Sequence, residues 1–259
     1  MRQLIKFDLL GFQILILLGM LFIYLLPIQQ APQGPWVLTD NGSKVWYETP
    51  QLNETITWSG SRDGNGNATG QGRLQWFQNG KPGNIYEGNM VNGKKNGKGI
   101  YTQTNGERYE GDFVDDKQSG KGVLILANGT RYEGDFVDGK RTGKGIFTWT
   151  NGTRYEGDFV DGKQNGKGIM LWFNGTRYEG DFVNGKQNGK GVLTWANGTR
   201  YEGDFVDDKQ NGKGILIWYD GDRYEGDFVN DKQHGYGTYM YYDGRVVSGK
   251  FENNEYKSQ

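Results

Sequence analysis

An all-β fold, an elongated single-layer antiparallel meander of tandem 23-residue β-hairpin repeats preceded by one transmembrane helix, is what this sequence predicts. Three observations carry that expectation. Tyr-Glu-Gly recurs at Tyr86, Tyr109, Tyr132, Tyr155, Tyr178, Tyr201 and Tyr224, always 23 residues apart, and a degraded copy begins at Val247. A strict period of this length marks one small unit stacked many times. Inside each unit, apolar and polar residues alternate with the period of two that belongs to a strand. Near the N-terminus, Leu9 to Leu26 forms an uncharged apolar run in which only Gln13 is strongly polar.

Taken in chain order, residues 1–8 are a short tail and residues 9–26 the expected transmembrane helix. Its eighteen residues would span ~27 Å at 1.5 Å each, just enough for a bilayer core. Arg2 and Lys6 precede the run, and the next basic residue is Lys44. The positive-inside rule then leaves the N-terminus cytoplasmic and the repeats on the opposite side of the membrane. A cleaved signal peptide fits less well, because the run is long and no small-x-small site precedes Pro27. Residues 27–35, with Pro27, Pro32 and Pro35, read as an extended spacer. Residues 36–85 read as degenerate capping repeats, in which Trp58-Ser-Gly60, Gly70-Gln-Gly72 and Gln78-Asn-Gly80 echo the repeat. The regular array is 86–259.

Within one repeat, Arg154 to Val160 is an extended strand. Tyr155, Gly157 and Phe159 share one face, and Glu156 and Asp158 the other. Asp161 to Gly168 is a run of turn formers, Ile169 to Trp172 a second strand, and Asn174-Gly175 a type I′ hairpin turn to the next repeat. The last position of the second strand holds Gln103, Leu126, Trp149, Trp172, Trp195, Trp218 and, in the final copy, Tyr241. Gly157 and its copies mark where a ring lies on bare backbone. At ~4.8 Å between strands, seven two-stranded repeats extend roughly 70 Å.

Tyr-Glu-Gly-Asp-Phe, a Gly-Lys-Gly about ten residues later, and Asn-Gly before the next tyrosine resemble the MORN repeat (membrane occupation and recognition nexus). The resemblance covers the chain from Tyr86 to its end. It implies a single-layer sheet of hairpins used for protein–protein contact, self-association and, in some members, association with membrane lipids.

Composition narrows the function. Lys and Arg total 30 against 31 Asp and Glu, a formal charge of −1, which removes the basic footprint of a nucleic-acid binder. Cysteine is absent, so there is no disulfide, zinc–thiolate site or thiol nucleophile. The single histidine, His234, stands where other repeats carry Asn165, Asn188 or Asn211, a turn position without a unique catalytic partner. The repeated Glu and Asp are expected to face solvent and to pair across strands with Arg and Lys. Asp161-Gly-Lys-Gln-Asn-Gly lacks the bidentate glutamate of a calcium loop. The Asn-Gly-Thr sequons coincide with turns the fold itself requires. No enzyme activity, metal or cofactor is expected.

The expected function is a membrane-anchored scaffold that holds a protein partner or a second copy of itself. Its contact surface would be the aromatic face, namely Tyr132, Phe136, Trp149, Tyr155, Phe159, Trp172, Tyr178, Phe182, Trp195, Tyr201, Phe205 and Trp218. Two alternatives stay open. One is carbohydrate or cell-envelope binding through the same rings. The other is an anionic lipid headgroup such as a phosphoinositide, which requires cytoplasmic repeats and gains little from a charge-neutral unit.

Overall fold

The computed structural model describes residues 36–258. In each central repeat the strand Arg154–Val160 pairs with Lys163–Leu171, and that strand pairs in turn with Arg177–Val183 of the next repeat. The ladder is antiparallel throughout and continues from Glu54–Trp58 to Glu255–Lys257. These two end strands have registers only with their inner neighbours, so the sheet remains an open meander. Its register places Gly157 opposite Gly168, and Gly168 opposite Gly180. A glycine therefore stands at the same level in successive strands.

One part of the expected fold is corrected. Among the described residues there is no helix, and none is long and apolar enough to cross a membrane. Alternation with a period of two gives no described stretch an all-apolar surface, so the described residues are all-β, with no transmembrane helix among them. The expected helix at 9–26, and the localisation built on it, lie outside the described residues.

The two turns exchange the roles expected of them. The two-residue type I′ turn falls inside the repeat, at Asp161-Gly162, where both residues have positive φ (47° and 82°). The second strand begins directly after it, at Lys163, so the apparent turn cluster is mostly strand. In Gly166-Lys-Gly168 the first glycine, at φ +84°, forms a β-bulge against Asp158 and the second joins the glycine ladder. The connection between repeats is a three-residue loop in which Gly152, but not Asn151, has positive φ. Asn151 serves as an acceptor: Thr153 N–H donates to its Oδ1 at 3.0 Å, which also explains why Asp220 and Asp243 can replace it.

Some type I′ turns lack glycine altogether. Asp207 and Asp208 both hold positive φ (48° and 67°). Asp208 compensates by tying repeats together: its N–H donates to Gln187 O at 3.0 Å, and its Oδ1 accepts Gln187 N–H at 2.8 Å. Asp208→Ala is expected to cost about 2 kcal/mol, from an orphaned N–H and a left-handed residue without Asx stabilisation. Asp208→Asn should be near neutral. Urea midpoints of the two variants check this, and equal midpoints would refute the role of the side chain.

At the N-terminal end, the hairpin Trp36–Leu38/Lys44–Trp46 forms a separate two-stranded sheet. It is seated by Lys44 N–H on Gly66 O and Trp46 N–H on Gly93 O, both at 2.8 Å. Asp40 covers the outer edge of Glu54–Trp58, its N–H reaching Ile56 O at 3.2 Å and its Oδ1 accepting Trp58 N–H at 3.1 Å. An open strand edge is thereby capped. Trp58 takes the tyrosine's part here: its ring crowds Gly60 and Gly72, and its Nε1–H donates to Ser61 O at 2.8 Å.

Candidate functional site

The aromatic face is built by tyrosines that fold back along their own strands. The Tyr155 hydroxyl donates to Asp158 O at 3.0 Å, which lays its ring over Gly157 and Gly168. Each tyrosine from Tyr109 to Tyr224 then meets two phenylalanines edge to face, whereas Tyr86, whose own repeat carries Met90, meets only Phe113. Tyr155 touches Phe159 of its own repeat (5.2 Å between centroids) and Phe182 of the next (5.0 Å). The contacts chain without a break from Tyr86 to Phe251. Such pairs add roughly 0.5–1.5 kcal/mol each beyond their buried area. Burial, with a nearby aspartate, raises the pKa of these phenols, to about 12 for Tyr132.

Of the residues expected to form the contact surface, Tyr132, Tyr155, Tyr178 and Tyr201 are at most 1% exposed and Phe136, Phe159, Phe182 and Phe205 at most 2%. They are the spine of the array and offer no area to a ligand. Trp149, Trp172, Trp195 and Trp218 pack against that spine but remain half-buried, in line along the repeats.

A second surface lies on the opposite face of the sheet. A trough of about 2610 Å³ runs along the array from Gln71 to Gly249. Every central repeat contributes the same groups to it, in one case Glu156, Lys167 and Ile169 together with the backbone of Gly157 and Gly168. Ile100, Val123, Ile146, Ile169, Val192 and Ile215 form a half-buried aliphatic stripe, each directly opposite glutamates of both neighbouring strands. The charges are balanced locally. Arg154 Nη2 meets Glu156 Oε2 at 2.6 Å within one strand, rather than across strands as expected, and Lys144 Nζ crosses to Asp158 Oδ1 at 2.6 Å. Exposed pairs of this kind contribute at most about 1 kcal/mol. The signal available in the sequence was the aliphatic residue after every Gly-Lys-Gly, on the face otherwise reserved for charge.

One repeat departs from the pattern. Lys95 stands where the others carry Gln or Arg, and its ammonium lies 4.8 Å from the Tyr101 ring centroid and 3.9 Å from Asp116 Oδ1. Burial pushes the Lys95 ammonium down and the Asp116 carboxyl up from their ordinary values. Among the described residues, no group of three His, Cys, Asp or Glu side chains converges as metal ligands would.

The MORN repeat family model matches seven consecutive segments, 86–108, 109–131, 132–154, 155–177, 178–200, 201–223 and 224–244. No curated protein matches the sequence. Among solved structures, the chain is similar to the TCP domain of Drosophila melanogaster SAS-4 (dCPAP) in complex with a proline-rich motif of Ana2 (dSTIL). The two share 14% identity, the match covers 60% of this chain and 85% of that one, and the TM-score is 0.39. It is also similar to the wild-type TCP10 domain of Danio rerio CPAP, at 13% identity, 83% and 99% coverage, and a TM-score of 0.30. With the tandem matches taking in well over half of its residues, the chain belongs to the MORN repeat family.

Proposed function

We propose that this protein is a non-catalytic scaffold that holds a protein partner lengthwise in the trough. The observation that carries the reading is continuity: one concave surface passes through every repeat and offers each the same aliphatic floor and the same balanced charged rims. A long partner gains contact repeat by repeat, which is how solenoid surfaces accumulate affinity. The rims favour a polypeptide over an anionic headgroup, because Lys144 and Arg154 are already matched by Asp158 and Glu156. A glycan reading requires open ring faces, and the tyrosines and phenylalanines have none.

The experiment is a selection of peptide binders from a random display library on the full chain, followed by titration of purified peptides. The double substitution Ile146→Glu, Ile169→Glu is expected to weaken the selected peptides at least tenfold, about 1.4 kcal/mol. Circular dichroism of the variant should match that of the parent. Peptides that bind the variant unchanged, or tighter binding to phosphoinositide vesicles than to any peptide, would refute this assignment of the trough.

A further inference from the structure

The capped end of the array shows how its tryptophan side is closed. Trp76 occupies the place of Trp172. Each stands two residues after the side chain that faces the next tyrosine, Leu74 opposite Tyr86 in one case and Met170 opposite Tyr178 in the other. Trp76 is only 6% exposed. Its cover is Tyr47, from the irregular stretch that follows Lys44–Trp46 and leads to Pro50; the two ring centroids are 6.0 Å apart. The Tyr47 hydroxyl is held by Glu54 Oε1 at 3.0 Å. Beside the two rings, the Lys95 side chain fills the space between Trp76 and Tyr101.

Further along, the same place is open. A cleft of about 450 Å³ lies among Trp172, Gln187, Leu193 and Asp208, floored by Met170 and Phe182. By register, these first four residues are the counterparts of Trp76, Lys95, Tyr101 and Asp116. The shorter, uncharged Gln187 leaves room where Lys95 leaves none.

We propose that this cleft binds an aromatic side chain carried on a proline-containing, non-strand segment of a partner protein, as Tyr47-Glu-Thr-Pro50 closes the equivalent place within the chain. Spacing favours the same choice. A polyproline II segment advances about 9.3 Å in three residues, and one repeat of two strands advances about 9.6 Å. Such a segment laid along Trp149, Trp172, Trp195 and Trp218 presents every third residue to successive repeats with little drift. A helical heptad advances about 10.5 Å and runs out of step by about 0.9 Å per repeat. Proline-bearing segments of this kind dock characteristically on aromatic-lined grooves. This inference stands apart from the trough, which lies on the other face.

The probe is a synthetic peptide copying residues 44–51, Lys-Val-Trp-Tyr-Glu-Thr-Pro-Gln, with a photoreactive group at its glutamate position, added to the full-length protein. Saturable binding is expected below about 1 mM, with cross-links on the tryptophan face. Replacing the peptide's tyrosine with alanine should weaken binding at least tenfold. Gln187→Lys, which supplies the side chain that fills the capped cleft, should reduce cross-linking at Trp172 and Leu193 at least fivefold while leaving the circular dichroism unchanged. Should that variant misfold, Trp172→Ala removes the wall of the cleft instead. The Ile146→Glu, Ile169→Glu pair should leave peptide binding intact, so the two assignments fail separately. Absence of saturation at about 1 mM, cross-links confined to the trough, or cross-linking that survives the cleft substitution would overturn the proposal.

Discussion

Gly157→Ala is expected to destabilise the array by about 3 kcal/mol or more, a cost at the upper end of that for overpacking a well-packed interior. A methyl group at this position would lie 2.5 Å from Tyr155 Oη and 2.6 Å from both Gly168 Cα and Lys167 O. Two of these three neighbours are backbone atoms of the paired strand, so relief requires breaking the ladder rather than turning a side chain. Moving the tyrosine instead would cost its bond to Asp158 O and its contacts with Phe159 and Phe182. Because repeat proteins are stabilised by their nearest-neighbour interfaces, the damage should uncouple the halves on either side. Urea unfolding is then expected to show a lowered midpoint with a shallower or divided transition. Gly152→Ala is the matched comparison. Unlike Gly157 it sits at positive φ (86°), and nothing lies within 4 Å of the added atom, so only the conformational cost of about 1–2 kcal/mol should appear. Equal losses in the two variants would show that ring-on-glycine packing is not what demands Gly157.

Much of this was legible in the sequence because it depends on local pattern. The strand Arg154–Val160 has the bounds its alternation predicts, and Gly157 does receive a ring, the signal being a glycine between two aromatics on one face. The second strand was harder to read. Gly166-Lys-Gly168 has turn composition, yet only Gly166 needs positive φ, and Gly168 is glycine because Tyr155 lies on it. The two turns cannot be told apart by composition, because Asn-Gly suits both a type I′ hairpin and a loop in which the asparagine is an acceptor. Backbone dihedrals, not composition, separate these cases. Alternation also tells which residues share a face, but not whether a single layer can bury that face by itself. The tyrosines and phenylalanines do so by packing edge to face along the array, which withdraws them from any binding surface and leaves the tryptophans. The trough is not legible in the sequence for a related reason: Glu156 and Lys167 read as solvated charge, and only curvature of the whole sheet makes a concavity of them.

Raising the pH above 10 is expected to unfold the array in a steep, cooperative transition, because its spine is built of buried phenols. All seven repeat tyrosines have their pKa raised by burial, reinforced in each case by a nearby aspartate, with Tyr109, Tyr132 and Tyr224 reaching about 12. In the unfolded chain a tyrosine ionises near pH 10. A folded value above the unfolded one means that the native state holds its protons longer, so this stability is complete below about pH 10 and is lost as the pH climbs toward about 12. Each tyrosine contributes a slope of up to about 1.4 kcal/mol per pH unit. Seven together approach about 10 kcal/mol per unit, comparable to the whole stability of a typical domain. Ionisation also removes the hydroxyl proton donated to a backbone oxygen, as from Tyr201 to Asp204 O at 3.0 Å, and places a charge among phenylalanine rings. Far-UV circular dichroism and tyrosinate absorbance, followed together from pH 8 to pH 12, should change at the same point. Tyr155→Phe should reduce the alkaline slope by about one seventh while costing about 1 kcal/mol at neutral pH, the worth of one hydrogen bond. Tyrosines of the repeats that ionise near pH 10 while the sheet stays folded would mean that the ring ladder is open to water.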